Sequence, residues 1–235
     1  MRINKYLSAC GLCSRREADR LLEAGRVSVN GKTASTGMDV EEDVDVRVDG
    51  RSVRPLAEKT YLKVYKPVGI VCTADPREKN NVIDYIHSPV RLTYAGRLDR
   101  NSEGLLLMTN DGVLIDAMMR GANGHEKEYI VRVKSRITDA DLERMRKGVR
   151  LRDLDVTTRP CRVERLGDFT FRIILTQGLN RQIRRMCRAV GNEVKKLKRV
   201  RVLNIELGSM KPGEMREITG SEFEELYRIA GCSTE

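Results

Sequence analysis

The sequence has little of what a metal site or a histidine-based catalytic site requires. It contains only two histidines, His87 and His125, which stand far apart. Its six cysteines include one close pair, Cys10 and Cys13, with no second CxxC and no spaced histidine pair to complete a zinc site. We therefore predict reduced thiols and no bound metal.

Long apolar runs are also missing. No stretch approaches the roughly 18 consecutive apolar residues of a membrane span, and residues 1–11 are too polar for a secretory signal. Hydrophobic residues still make up 40% of the chain, which is enough for a substantial core. These features predict a folded, soluble protein of the cytoplasm without a membrane partner.

Positive charge is the clearest feature that is present. The 235 residues include 44 Lys and Arg against 34 Asp and Glu, and the formal net charge of +10 favours polyanionic partners. Residues 181–201 alone hold nine Lys and Arg against one acid, Glu193. Such a stretch is typical of a phosphate-binding surface.

Residues 1–54 have the pattern of a separate small domain. Helical spacing up to Gly25 predicts two short helices, the second opened by a capping box, SRRE, at Ser14. The pairs Asn30-Gly31 and Asp49-Gly50 then follow alternating segments and predict two hairpins. This core is small for an independent enzyme, but it is sufficient for a recognition module.

The predicted helices of this small domain carry a basic face. Its bases include Arg2, Lys5, Arg15, Arg16 and Arg20. A face of this kind suits a polyanion, and an ordinary solvated surface is the alternative.

Residues 61–235 are predicted to form a second, larger domain, joined by a polar, proline-containing linker over residues 55–60. Strand and helix patterns mix there without a regular βα repeat and without a glycine-rich nucleotide loop. We predict the α+β class, with a mixed and mainly antiparallel sheet.

Asp99 stands between Arg97 and Arg100, directly upstream of the apolar run 105–108. That run predicts a rigid strand, which would hold the aspartate at a sheet edge. Nearby guanidinium groups favour an ionised carboxylate, and an ionised carboxylate can act as nucleophile or base. An exposed Asx turn is the competing interpretation, and the local sequence leaves both open.

The segment QGLNRQIRRMCRAVG predicts a two-faced helix between Gly178 and Gly191, with Asn180 as its cap. One face is apolar. The other is an arginine stripe made of Arg181, Arg184, Arg185 and Arg188. An arginine stripe beside a helix N-terminus suits phosphates or a carboxylate, and a solvated charged face is the alternative.

Tyr129 lies in the strand-like segment KEYIVRV, on the same predicted face as Val131 and Val133. The pattern favours a core tyrosine. Stacking on a nucleic-acid base is the alternative, because a tyrosine ring offers a rigid aromatic surface.

Taken together, these residues resemble the RsuA-type bacterial ribosomal RNA pseudouridine synthases. Residues 2–32 are similar to the S4 RNA-binding domain of that family. Five ordered segments are similar to its other motifs: YKPVGIVCT, AGRLDRNSEGLLLMTNDG, HEKEYIV, QGLNRQIRRM and EVKKLKRVRV. The residues of the segments NRQIRRMC and HEKEY are most similar to those of the RluF branch, which acts on large-subunit ribosomal RNA.

The resemblance implies residue roles. Asp99 resembles the catalytic aspartate, Tyr129 the tyrosine that stacks on the target base and is assigned a proton-transfer role, and Arg184 the arginine paired with the aspartate. The substrate-binding residues implied beside them are Arg97, Arg181, Arg185 and Leu197. The basic face of residues 1–54 is then predicted to bind RNA.

The implied reaction detaches uracil at N1, turns it and rejoins it through C5. One nucleophilic carboxylate suffices, so neither a metal nor a redox or nucleotide cofactor is implied. Asp99 would attack either the ribose C1′ or the uracil C6, and the target uridine would be flipped out of its stem. The expected partner is a structured RNA, namely a ribosomal RNA stem-loop, bound by a monomer.

Three other functions are compatible with parts of the sequence. A non-catalytic S4-type RNA-binding or ribosome-assembly protein would share the charge, although it would not need Asp99, Tyr129 and Arg184 together. A glycosidase-type enzyme that removes the base could use Asp99 alone. A pseudouridine synthase acting on small-subunit ribosomal RNA or transfer RNA would share every motif.

Overall fold

The structure, a computed structural model, describes residues 1–41, 43–120 and 124–232 and divides into two compact units. The first unit holds Met1–Thr60, Ser88–Thr93 and Thr109–Gly112, and the second holds Tyr61–His87, Tyr94–Met108 and Val113–Glu235. The segment 55–60 lies within the first unit, where the Leu56 amide donates to the Ala9 carbonyl (3.0 Å). The division into 1–54, 55–60 and 61–235 stays a prediction.

Two helices open the first unit, α1 (Ile3–Ala9) and α2 (Arg15–Glu23). The predicted cap of α2 forms, since the Ser14 hydroxyl accepts a hydrogen bond from the Glu17 amide (3.2 Å). The second hydrogen bond of a capping box would join the Glu17 carboxylate to the Ser14 amide, but Glu17 has a different partner here. The Glu17 carboxylate pairs with Arg20 (2.9 Å) one turn further along, because an exposed guanidinium lies within its reach.

Two hairpins complete the first unit. Their strands are β1 (Val27–Val29), β2 (Lys32–Thr33), β3 (Val46–Val48) and β4 (Arg51–Ser52), in the sheet order β2-β1-β3-β4. The turn residues Asn30 and Gly31 have φ of 49° and 78°, and Asp49 and Gly50 have φ of 50° and 78°. Positive φ at both central positions is the type I′ geometry that matches strand twist, so the predicted hairpins are confirmed.

The strands that follow are β5 (Tyr61–Lys66), β6 (Thr93–Tyr94), β7 (Glu103–Thr109), β8 (Lys127–Val133), β9 (Arg150–Leu151), β10 (Val156–Thr157), β11 (Arg162–Gly167), β12 (Thr170–Leu175), β13 (Val194–Val202), β14 (Ile205–Glu206) and β15 (Met215–Glu217). The main sheet runs in the order β11-β12-β8-β13-β7-β5-β15. The β13 and β7 pair is parallel, whereas β11/β12, β12/β8, β8/β13 and β5/β15 are antiparallel. The predicted α+β class with a mixed, mainly antiparallel sheet is confirmed.

The later helices are α3 (Val82–Ile86), α4 (Gly112–Met119), α5 (Asp139–Lys147), α6 (Gln182–Ala189) and α7 (Gly220–Ile229). Among the residues that the structure describes, no helix is long and apolar enough to cross a membrane. The apolar face predicted for α6 is confirmed, because Ile183, Met186 and Cys187 are buried against β8 and β12.

The cap predicted for α6 is wrong. Arg181, not Asn180, occupies the N-cap position, with a φ of 51° and no side-chain capping bond. The Asn180 side chain instead accepts a hydrogen bond from the Arg185 guanidinium (3.1 Å).

Strand β13 is longer and more central than the sequence indicates. The basic segment from Val194 to Val202 forms this strand between β8 and β7. The apolar pattern over 202–207 predicts a strand there, but only Ile205 and Glu206 pair as β14. Leu203 adopts a left-handed φ of 52°, and this turns the chain between the two strands.

The parallel contact of β13 with β7 depends on Gly104. This residue has a φ of 108°, and a Cβ placed on it would lie 2.2 Å from the Arg199 carbonyl oxygen. Both the backbone conformation and the close approach therefore require glycine.

We predict that Gly104→Ala lowers the free energy of unfolding by roughly 2–4 kcal/mol, since strained φ and a backbone overlap act together. Gly167→Ala is the matched control, because Gly167 lies on edge strand β11 and a Cβ added to it would have nothing within 4 Å. Chemical denaturation measures both. Equal losses in the two variants would contradict the packing argument.

Candidate functional site

A cavity of about 550 Å³ lies in the second unit. Its walls come from the turn 96–102, the strands β8 and β13, and the segment 175–183 that leads into α6. Five of the predicted site residues line it: Arg97, Asp99, Tyr129, Arg181 and Leu197. The structure thus brings together residues that are up to about a hundred positions apart in the sequence.

The Asp99 carboxylate faces two guanidinium groups. Its Oδ2 lies 3.6 Å from Nη1 of Arg181 and 3.9 Å from Nε of Arg184, and its side chain remains one-third exposed to the cavity. Within the described part of the chain, this carboxylate accepts no hydrogen bond from its own turn, so an Asx turn does not explain Asp99. The arrangement leaves the carboxylate open to a ligand, with two cations beside it.

Arg184 ties α6 to the turn that carries Asp99. Its Nη2 donates to the Asn101 carbonyl (2.7 Å) and to the Ser102 hydroxyl (3.2 Å). Burial lowers the pKa of Arg184, repulsion from Arg181 adds to this, and attraction to Asp99 opposes it. A guanidinium keeps its charge despite such a shift, so Arg184 presents a fixed cation to Asp99.

The backbone of the same turn is held at several further points. The Leu98 amide donates to Sγ of Cys72 (3.4 Å), and the Arg100 carbonyl accepts from the Gly69 amide (2.8 Å). The Ser102 amide donates to the Asp99 carbonyl (3.0 Å) and closes the turn. These bonds fix the direction in which the Asp99 side chain points.

Arg199, a buried residue of β13, holds the turn that carries Asp99. Sequence analysis assigned Arg199 no role. Its side chain is only 2% exposed. Nε donates to the Leu105 carbonyl (2.7 Å), and Nη1 donates to the Arg97 carbonyl (3.3 Å). Alternation within β13 was the available signal, but a basic residue in a basic segment is ordinarily counted as solvent-exposed.

Lys66, in the segment YKPVGIVCT, is a second buried cation that sequence analysis left without a role. Its Nζ donates to the carbonyls of Pro67 (2.8 Å) and Ile70 (2.9 Å). Burial lowers the pKa of Lys66 to about 8. These bonds shape the bend that brings the Gly69 amide to the turn of Asp99.

Tyr129 and Leu197 form the apolar part of the cavity wall. Leu197 is buried on β13, and Tyr129 is half-buried on β8, where it packs against the core and also lines the cavity. The core position and the cavity position are therefore compatible. Lys127, two residues from Tyr129, also lines the cavity, and burial followed by repulsion from Arg199 lowers its pKa.

Arg185 is not part of this cavity. Its guanidinium donates to the carbonyl oxygen (2.8 Å) and the side chain (3.1 Å) of Asn180 and forms an ion pair with Asp153. The predicted arginine stripe of α6 is thus divided, because these partners draw Arg185 away from Asp99. A substrate role beside Asp99 has no support in this geometry.

The five predicted RNA-binding residues all lie in the first unit. Arg2 pairs with Asp39 (3.3 Å), and Arg20 pairs with Glu17 (2.9 Å). The remaining three, Lys5, Arg15 and Arg16, make no ion pair with any residue that the structure describes. Their charges are available to a polyanion.

Comparison with known proteins identifies the family of the chain. Residues 60–189 match the family model of RNA pseudouridylate synthase, and residues 1–46 match the S4 domain. The chain belongs to the RNA pseudouridylate synthase family and carries an S4 domain at its N-terminal end. The resemblance found in the sequence is confirmed, and the protein is an enzyme of the pseudouridine synthase class with RNA as its substrate.

Individual relatives extend over nearly the whole chain. The dual-specificity RNA pseudouridine synthase RluF of Salmonella typhi is 44% identical over 237 residues, which cover 100% of this chain and 81% of that protein. The ribosomal large subunit pseudouridine synthase B of Bacillus subtilis (strain 168) is 33% identical, with 97% and 96% covered. A crystal structure of a pseudouridylate synthase superposes with a TM-score of 0.72 at 26% identity, covering 96% and 99% of the two chains.

Proposed function

We propose that this synthase converts a specific uridine of large-subunit ribosomal RNA to pseudouridine, with Asp99 as the nucleophile. The observation that carries the proposal is the Asp99 carboxylate, which lies open to the cavity with Arg181 and Arg184 within 4.0 Å. A carboxylate held in this way is oriented for attack. The Bacillus subtilis relative, named for the large ribosomal subunit, supports this RNA class.

The side chains of the cavity account for each part of the reaction. Asp99 attacks the target nucleotide at C1′ or C6, the bond from N1 to C1′ breaks, and the uracil turns. A bond from C5 to C1′ then forms, the bond between the Asp99 carboxylate and the nucleotide breaks and frees the carboxylate, C5 loses its proton and N1 gains one. Tyr129 stacks on the uracil and supports proton transfer, while Leu197 packs against the base.

The target uridine is flipped out of its stem, because a paired base cannot reach a carboxylate inside a cavity. Arg97 and Arg181, which are exposed at the cavity, neutralise the flanking phosphates. Lys5, Arg15 and Arg16 of the S4 domain bind the RNA backbone elsewhere. The monomeric state, the location in the cytoplasm and the lack of a nucleotide cofactor stay predictions.

A second RNA substrate is a further candidate. The RluF relatives are named as dual-specificity enzymes, and the identity of 44% extends over the complete chain. We therefore include a second class of RNA, such as transfer RNA, as a substrate of the same cavity.

Replacing the proposed nucleophile tests the central step. Large-subunit RNA labelled with tritium at uridine C5 should lose tritium with the wild-type enzyme, whereas Asp99→Ala should release none and still bind the RNA. Glu224→Gln, an exposed carboxylate change on α7, is the control and should behave as wild type. Turnover by Asp99→Ala near the wild-type rate would contradict the proposal, and release of free uracil would indicate a base-removing enzyme.

Arg184 is proposed as a positioning residue, and its replacement should separate rate from binding. Arg184→Ala should lower the single-turnover rate by about 100-fold, because Asp99 loses its fixed partner, while RNA affinity changes little. Arg184→Lys should recover part of the rate by keeping a cation beside Asp99.

Arg146→Ala serves as the control for Arg184, since Arg146 also donates to a backbone carbonyl (Val163, 2.8 Å) but lies on α5. It should lower stability without lowering the rate. If Arg184→Ala and Arg146→Ala have the same effect on the rate, or if Arg184→Lys recovers nothing, the positioning role is wrong.

A further inference from the structure

A second concavity, of about 540 Å³, lies in the second unit between the β9–β10 hairpin and α6. Its lining includes five arginines and one acid, namely Arg144, Arg150, Arg152, Arg185, Arg188 and Asp153. We call it the arginine groove. Helix α6 contributes to both sites, with Arg181 and Arg184 at Asp99 and with Arg185 and Arg188 in the groove.

Two cations of the groove are free to bind a ligand. Arg152 and Arg188 are exposed, and neither forms an ion pair or a side-chain hydrogen bond within the described ranges. By contrast, Arg150 and Arg185 are paired with Asp155 and Asp153. The free positive charge is therefore concentrated at Arg152 and Arg188.

The end of α6 does not oppose an anion here. A helix C-terminus carries partial negative charge, which would repel a phosphate. Arg144 offsets this charge, because its Nη2 donates to the Ala189 carbonyl in the last turn of α6 (3.2 Å). The groove thus presents guanidinium groups rather than bare carbonyl oxygens.

The chemistry of the lining identifies the ligand. Its larger apolar members, Val149 and Leu151, are buried, so they offer little surface to an apolar side chain. Guanidinium forks match the paired oxygens of a phosphate group. A row of phosphates fits this groove better than an apolar or neutral ligand does.

We infer that the arginine groove binds backbone phosphates of the substrate RNA outside the catalytic cavity, with Arg152 and Arg188 as its main contacts. The inference rests on the proposed function, since it takes the modified RNA as the ligand. Phosphate contacts of this kind carry no sequence information and set the register of the RNA on the protein. Such a contact would help to place the target uridine at Asp99.

The test is RNA binding by the double variant Arg152→Gln/Arg188→Gln. A stem-loop of large-subunit ribosomal RNA is titrated at several salt concentrations and followed by fluorescence anisotropy. At about 0.15 M salt the affinity should fall roughly tenfold. The negative slope of log affinity against log salt should become shallower by about 1–2, because two phosphate contacts are lost. Thermal unfolding should stay near the wild-type midpoint, since both side chains are exposed.

Lys79→Gln/Lys211→Gln is the matched control. These residues lie in the second unit, are exposed, lie outside both cavities, and form no ion pair in the described chain. The control also removes two positive charges. It should change the affinity less than about twofold, as a loss of net charge alone would. Equal losses in the two double variants would overturn the inference.

Two further outcomes separate this inference from its alternatives. If Arg152→Gln/Arg188→Gln keeps RNA affinity but loses binding to polyglutamate, the groove serves an acidic protein segment and the inference is overturned. Tritium release by the wild type is measured on the same RNA. If the wild type isomerises the RNA and the double variant keeps its RNA affinity, only the inference about the groove is overturned. If the double variant binds the RNA more weakly and the wild type does not isomerise it, the inference is supported and the proposed function is contradicted.

Discussion

A buried guanidinium, that of Arg199, joins the centre of the sheet to the turn that carries Asp99. Burying a charge is unfavourable unless hydrogen bonds satisfy it, and Arg199 meets this condition in part: Nε and Nη1 donate to the carbonyls of Leu105 and Arg97, while Nη2 is buried without a hydrogen-bond partner among the described residues. Leu105 lies on β7 and Arg97 precedes Asp99, so a single side chain fixes both. Gly104 makes this possible, because it allows β13 to approach β7 closely enough for Arg199 to reach across.

Other residues around Asp99 also hold the turn that carries it. Gly69 holds the turn through the Arg100 carbonyl, and Arg184 holds it through Asn101 and Ser102. The carboxylate itself is left open to the cavity. A rigid turn with an open side chain suits the nucleophile proposed here, since little reorganisation is needed when the substrate arrives.

Local signals in the sequence predicted much of the fold. The cap at Ser14 and the Asn30-Gly31 and Asp49-Gly50 turns depend on neighbouring residues alone, so they could be read without tertiary information. Strand β13 could not, because five of its nine residues are Lys or Arg and such a segment has the composition of a solvated surface. Buried cations such as Arg199 and Lys66 contradict the usual distribution of charge, and only the packed structure shows the carbonyls to which they donate.

For the candidate site, the sequence offered residues but not their arrangement. Family resemblance proposed Asp99, Tyr129 and Arg184, and the structure places Asp99 and Arg184 within 3.9 Å of each other. Helical spacing placed four arginines on one side of α6. It could not show that Asn180 and Asp153 hold Arg185 in a separate groove, because those partners come from outside the helix.

The most direct test of this account is the single-turnover rate of isomerisation in Arg199→Met and Arg199→Lys, measured at saturating RNA and at a temperature where both variants are folded. Arg199→Met removes both carbonyl bonds, so we expect the rate to fall by about 100-fold while RNA affinity is retained. Arg199→Lys keeps one donor nitrogen, so its rate should lie between those of the wild type and Arg199→Met. A wild-type rate in Arg199→Met would show that the turn of Asp99 does not depend on this buried guanidinium, and it would contradict the account.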